Sequence, residues 1–191
     1  MKTIRVFYAG CGPYAPFVTL IAPLFTPKEI QFSILEINKE SLEQAERLIE
    51  HLNLESYVEA CYLEDATTFK IPKPKQYHIL FSETLDALLF RECYVPIMWN
   101  LAPQLPKRTT IIPENVKVNL SFKTDLKEDF KIALFNVREK ILNKEKNEQM
   151  PEKFESVNID LLTAENYDKI ILDTEVQIYK DLFLNRNESS L

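Results

Sequence analysis

The chain has 191 residues, 46% of them hydrophobic and 27% charged, with a formal net charge of -6 and a sequence pI near 5.1. That is enough apolar material for one sizeable domain with an appended region. An acidic chain whose lysines are interleaved with glutamates, as in NKEKNEQ (143–149), disfavours a nucleic-acid partner. No apolar run is long enough for a signal peptide core or a membrane span, so a cytoplasmic protein with no membrane partner is expected. Cys11, Cys61 and Cys93, with His51 and His78, make neither a disulfide framework nor a metal-ligand spacing, so no metal is expected and these residues read as buried thiols and ordinary surface or core histidines.

In chain order, Lys2–Tyr8 is β-branched and aromatic and reads as a strand running into a glycine turn. Tyr14–Phe25 carries Phe17, Leu20, Ile21 and Leu24 at helical spacing. Glu29–Ile37 reads as a second strand that ends in an acid. Asn38 is a helix N-cap, followed by Leu42, Ala45, Leu48, Ile49 and Leu52 on one face. Val58–Leu63 and Gln76–Phe81 read as strands, Leu85–Leu101 as helical with an interruption at Pro96, and Thr109–Ile112 as a fifth strand. Strands alternating with helices predict a parallel sheet with crossover helices, an α/β, Rossmann-like unit over residues 1–114.

The remainder, 115–191, is strand-rich. Asn115–Lys123 alternates and reads as a strand, and Asp129–Leu142 fits helix and strand equally. Residues 143–153 read as a mobile charged loop, and Phe154–Leu162 and Lys169–Leu182 as strands. The chain starts at its first strand, which suggests a piece of a larger protein.

Gly10 and Gly12 are the only two glycines in the chain. Both lie in the turn after the first strand, where ligands of open parallel sheets bind and where a missing Cβ lets backbone approach them. Gly10-Cys11-Gly12-Pro13-Tyr14-Ala15 matches the spacing of the dinucleotide fingerprint with alanine at its end. Pro13 has no N–H for a pyrophosphate, and Tyr14 is bulky, which counts against NAD. Glu36 stands at the end of the second strand, 24 residues after Gly12, where a carboxylate accepts both hydroxyls of a ribose. Asp65, beside Ala66 after the third strand, suits the amine of an adenine. Ribose and adenine anchors with a poor pyrophosphate seat favour S-adenosylmethionine (SAM).

AGCGPYAP, LEIN (35–38) and LEDA (63–66), taken in order, resemble successive motifs of the class I SAM-dependent methyltransferases over residues 3 to about 112. The resemblance implies SAM as cofactor, held by Ala9, Gly10, Cys11, Gly12, Glu36, Ile37, Asp65 and Ala66. Ser82-Glu83, with Glu92 nine residues on, is similar to the double-glutamate loop of the protein arginine methyltransferases. That likeness implies Glu83 and Glu92 as the catalytic pair, clamping a guanidinium while its near nitrogen takes the methyl group. It also makes the strand-rich tail a partial β-barrel. The partners implied are SAM and a methyl acceptor, protein or small molecule, with a homodimer as one open assembly. Two bland readings stand beside this one. If Leu85–Cys93 is helical, the two glutamates fall on opposite faces, and the chain could also be a non-catalytic interaction protein with a retained SAM fold. The family's N-terminal helices and Thr-His-Trp loop have no counterpart in these residues, so an open cleft, weak SAM affinity and low turnover are expected of this chain alone.

Overall fold

The computed structural model describes residues 2–85, 87–89, 93–124, 128–144, 148–151, 158, 166–184 and 188. The chain divides into two compact units, Met1–Thr84 with Cys93–Ile112, and Leu85–Glu92 with Pro113–Leu191.

The first unit is built on a five-stranded parallel sheet in the order β3-β2-β1-β4-β5. Its strands are β1 (Ile4–Ala9), β2 (Ile30–Glu36), β3 (Val58–Leu63), β4 (Ile79–Ser82) and β5 (Thr110–Ile112). β1 and β2 are buried along most of their length, as expected of central strands covered on both faces. Helix α1 (Lys39–His51) follows β2. Asn38 caps it, its side-chain oxygen accepting the Ser41 N–H at 3.0 Å, and Leu42, Ala45 and Ile49 bury its inner face. Leu52, expected on that face, lies just past the helix and is 44% exposed. Asn53 then turns the chain in a left-handed conformation, φ +57°. A chain with two glycines leaves such positions to other residues, and Lys73 and Lys180 do the same elsewhere.

Three expectations change here. Tyr14–Phe25 is not an α-helix but a π-helical turn over Phe17–Ile21 followed by a 3₁₀ turn over Ala22–Leu24. Pro23 supplies no N–H, and its ring crowds the carbonyl one turn back, so a regular helix cannot pass through it. The fourth strand starts at Ile79, because Pro74–Gln76 forms a 3₁₀ turn before it. Of the long helix expected over Leu85–Leu101, the described residues hold α2 (Tyr94–Leu101). Ala87–Leu89 is a short turn in which Leu88 and Leu89 both have positive φ, +58° and +56°, a conformation that ends any right-handed helix.

The second unit contains an antiparallel sheet in the order β7-β6-β8-β9. Its strands are β6 (Asn115–Lys123), β7 (Glu128–Asn136), β8 (Lys169–Tyr179) and β9 (Leu182–Leu184). The ambiguous Asp129–Leu142 is strand as far as Asn136, whose side chain then accepts the Glu139 N–H and starts α3 (Val137–Leu142). The last expected strand is a hairpin, broken at Lys180 and Asp181. Glu114 ties this unit together, its carboxylate pairing with Arg138 at 2.8 Å and accepting the Lys180 N–H at 2.9 Å. The strand expected over Phe154–Leu162 lies outside the described residues except for residue 158, and so does part of the expected loop at 143–153.

Candidate functional site

The strand order reverses between β1 and β4. The chain runs outward from β1 to β2 and β3, then crosses back to the other side of β1. In open parallel sheets the crevice outside the carboxyl ends of two such strands takes the ligand. The segment after Ala9 and the segment after Ser82 flank that crevice here, these two residues being paired in register.

The two glycines do different work. At Gly10 (φ +72°) a Cβ would run into the Thr84 methyl group, while its N–H donates to the Leu35 carbonyl at 2.8 Å and prolongs the β1–β2 ladder. Gly10 is therefore glycine because the β1 and β4 ends pack against each other. Gly12 (φ +59°) has nothing within 4 Å of where a Cβ would stand, so its backbone faces open space. Only the second glycine has open space where a side chain would stand. Between them Cys11 is fully buried, as is Ala9, so both offer a ligand backbone only. Burial, then the nearby Glu36 carboxylate, pushes the Cys11 thiol up to about 12, which leaves it inert. Cys61 and Cys93, by contrast, are exposed rather than core thiols. Ala15, where a dinucleotide fingerprint carries its third glycine, is buried with φ +40°. Tyr14 points outward, 71% exposed.

Glu36 is buried at the end of β2, and both its oxygens accept backbone bonds. Oε2 takes the Gly12 N–H and Oε1 the Asn38 N–H, each at 2.9 Å. Each oxygen keeps a further lone pair, so the carboxylate is held in place and can still accept hydroxyls. Ile37 beside it is 66% exposed, an apolar surface next to a polar anchor. Asp65 closes a turn of its own, its Oδ1 accepting the Thr67 N–H at 2.8 Å and the Thr67 hydroxyl at 2.7 Å. Ala66 is buried, and its carbonyl accepts from Asn100 of α2 at 2.9 Å.

Glu83 follows β4 and accepts a 2.6 Å hydrogen bond from the Tyr8 phenol. The residue is exposed overall, but partial desolvation of its carboxyl holds it above its ordinary range, and the Tyr8 bond opposes that rise. The glycine turn meets Glu36 through the Gly12 N–H, and the Tyr8 hydroxyl that bonds Glu83 also lies 3.5 Å from the Cys11 carbonyl. Glu92, the second member of the expected pair, lies outside the described residues. Two participants were not anticipated. Tyr8 sits in an apolar strand pattern and reads there as core; the available signal is that a buried phenol needs a partner. Thr84 carries no signal, because its role is a contact between residues far apart in sequence. Among the described residues no group of side chains could hold a metal ion, and no helix is long and apolar enough to cross a membrane.

A scan of protein-family models and a search of curated proteins each found no match. Solved structures do resemble the chain. The StiE O-MT is 11% identical with a TM-score of 0.44, covering 64% of this chain and 39% of that one. Arabidopsis thaliana protein arginine methyltransferase 10 is 17% identical with a TM-score of 0.48, covering 65% and 34%. The Trypanosoma brucei PRMT1 enzyme–prozyme heterotetrameric complex with AdoHcy is 16% identical with a TM-score of 0.49, covering 65% and 37%. The chain spans less than half the length of each of these three structures. One fold hosts many chemistries, so the reaction has to be read from the site.

Proposed function

We propose that this chain is a SAM-dependent methyltransferase acting on a nitrogen acceptor, with protein arginine as the favoured acceptor. The observation that carries the reading is the open space at Gly12, whose N–H is anchored by the buried Glu36 carboxylate at the end of the neighbouring strand. A pyrophosphate would meet Pro13 and the exposed Tyr14 next to that space, whereas an adenosyl ribose needs only the carboxylate. Glu36 would hold the ribose hydroxyls, Ile37 would cover one face of the adenine, and the free oxygen of Asp65 would accept from its amine. SAM, when bound, supplies an electrophilic methyl group on a sulfonium.

The protein's own part is positioning and electrostatics. Glu83 would pair with the cationic acceptor and draw its charge away from the attacking nitrogen, with Glu92 as the second carboxylate of the clamp. A guanidinium suits two carboxylates because it is planar and donates in a fork. That Glu83 and Glu92 bracket a non-helical turn at Ala87–Leu89 supports the loop reading of this segment over the helical one.

The test has two arms. Calorimetry with S-adenosylhomocysteine should show binding to the wild-type chain and none to Glu36→Ala. Methyl transfer from labelled SAM to an arginine-containing peptide should fall in Glu92→Gln while S-adenosylhomocysteine binding is kept. Wild-type transfer by Glu92→Gln would refute the clamp. Transfer to a small amine but to no arginine peptide would move the acceptor to small molecules.

A further inference from the structure

The bond between Tyr8 and Glu83 joins residues 75 apart across the point where the strand order reverses, and it leaves from a fully buried ring. That ring lies edge-on to Phe17 and Phe81, with centroids 5.7 and 5.1 Å away, so the hydroxyl is aimed by packing on two sides. At 2.6 Å the bond has the length of a charge-assisted O–H···O⁻ contact. Glu83, by contrast, is exposed and carries three rotatable bonds. Without a fixed partner it would sample solvent.

We infer that Tyr8 is a positioning residue for Glu83: its rigid phenol pins the flexible carboxylate over the end of β1 and favours the charged form that a cationic acceptor requires. The acceptor's charge rests on the function proposed above; the lock itself does not. The groups facing Glu83 among the described residues agree with it. Glu36 at the end of β2 and the Cys11 thiol on the glycine turn both act on Tyr8 as Glu83 does, and neither supplies a positive charge to steady Glu83. Desolvation favours the neutral acid, so the hydrogen bond from Tyr8 is what opposes it. Tyr8 remains a donor throughout, since burial and then Glu83 itself raise its own ionisation far out of reach.

The experiment follows the Glu83 carboxyl carbon by NMR in the full chain labelled at glutamate, the resonance being assigned by its loss in Glu83→Gln. Tyr8→Phe keeps the ring and removes the bond. The Glu83 titration midpoint should then rise by about one pH unit, the size of a lost hydrogen bond to a charged group at a partly solvated site. S-adenosylhomocysteine affinity should stay at the wild-type value. An unmoved midpoint would overturn the inference, as would loss of S-adenosylhomocysteine binding without a titration change. Should Tyr8→Phe fail to fold, 3-fluorotyrosine in place of tyrosine gives the mirror test. A more acidic phenol donates more strongly and should lower the midpoint, and no lowering would overturn the inference. Failure of the wild-type chain to bind S-adenosylhomocysteine would sink the methyltransferase reading, whereas the lock stands or falls on the titration.

Discussion

Gly10→Ala and Gly12→Ala separate the two roles that one glycine motif combines. Both positions have positive φ, so an alanine at either costs about 1–2 kcal/mol in the left-handed region, offset by about 0.4–1 kcal/mol from a less flexible unfolded chain. At Gly12 nothing else opposes the methyl group, which leaves a loss of about 1 kcal/mol. At Gly10 the new methyl meets the Thr84 methyl, and overpacking adds about 1–3 kcal/mol, for a total near 3 kcal/mol. Thr84→Ser removes the opposing methyl and keeps the hydroxyl that bonds Ser82 at 2.9 Å. Gly10→Ala with Thr84→Ser should therefore regain about 2 kcal/mol of the loss, a coupling that a double-mutant cycle reads directly. Urea unfolding followed by the fluorescence of Trp99 suits the measurement, because Trp99 is the chain's one tryptophan and is buried in α2 of the same unit. The same proteins titrated with S-adenosylhomocysteine should show the reverse order, with Gly12→Ala binding worst. Equal destabilisation by the two alanines, or no rescue by Thr84→Ser, would refute the division of labour.

Two further outcomes bear on the fold. His78 accepts the Arg5 N–H through Nδ1 at 3.0 Å, and burial, then the charges of Lys2, Arg108 and Arg5, hold its pKa below the ordinary value. The unfolded chain then binds the extra proton first, so stability should be full above the ordinary histidine range, near pH 6.5, and fall as pH drops below it. His78→Gln should flatten that slope in urea titrations taken across this range. Asn38→Ala removes the oxygen that caps α1 and should cost about 1 kcal/mol, read as a lower urea midpoint at unchanged slope.

The parallel sheet was legible because its strands are short apolar runs separated by helical periodicity and turns, a pattern that Ile4–Ala9 and Lys39–His51 display without competing signals. The segments that differed are those where a single residue overrules the period. Phe17, Leu20, Ile21 and Leu24 have helical spacing, yet Pro23 stops the helix they describe. DALLF favours a helix residue by residue, but Leu88 and Leu89 adopt left-handed backbone that no propensity scale foresees. Glu36 was legible in position, because an acid that ends the second strand stands level with the glycine turn after the first. What was not legible is which glycine packs against another residue and which faces open space. That distinction depends on Thr84, more than seventy residues away in sequence. Asp65 shows the opposite case, a residue whose place could be anticipated while its bond to Thr67 could not.

β1 is the strand from which the glycine turn hangs, and it has a partner on each side, six residues of β2 and four of β4. Its amides are therefore shielded from both directions and should be among the last in the first unit to exchange with deuterium. In the turn that follows, the Gly12 N–H leaves the ladder for the Glu36 side chain at the open end of the strand and should exchange faster than the ladder amides. Slow and fast amides would then adjoin within a few residues, between Tyr8 and Gly12. A bound nucleoside would register as the fast set slowing toward the slow one, giving a label-free signal of occupancy that needs no acceptor.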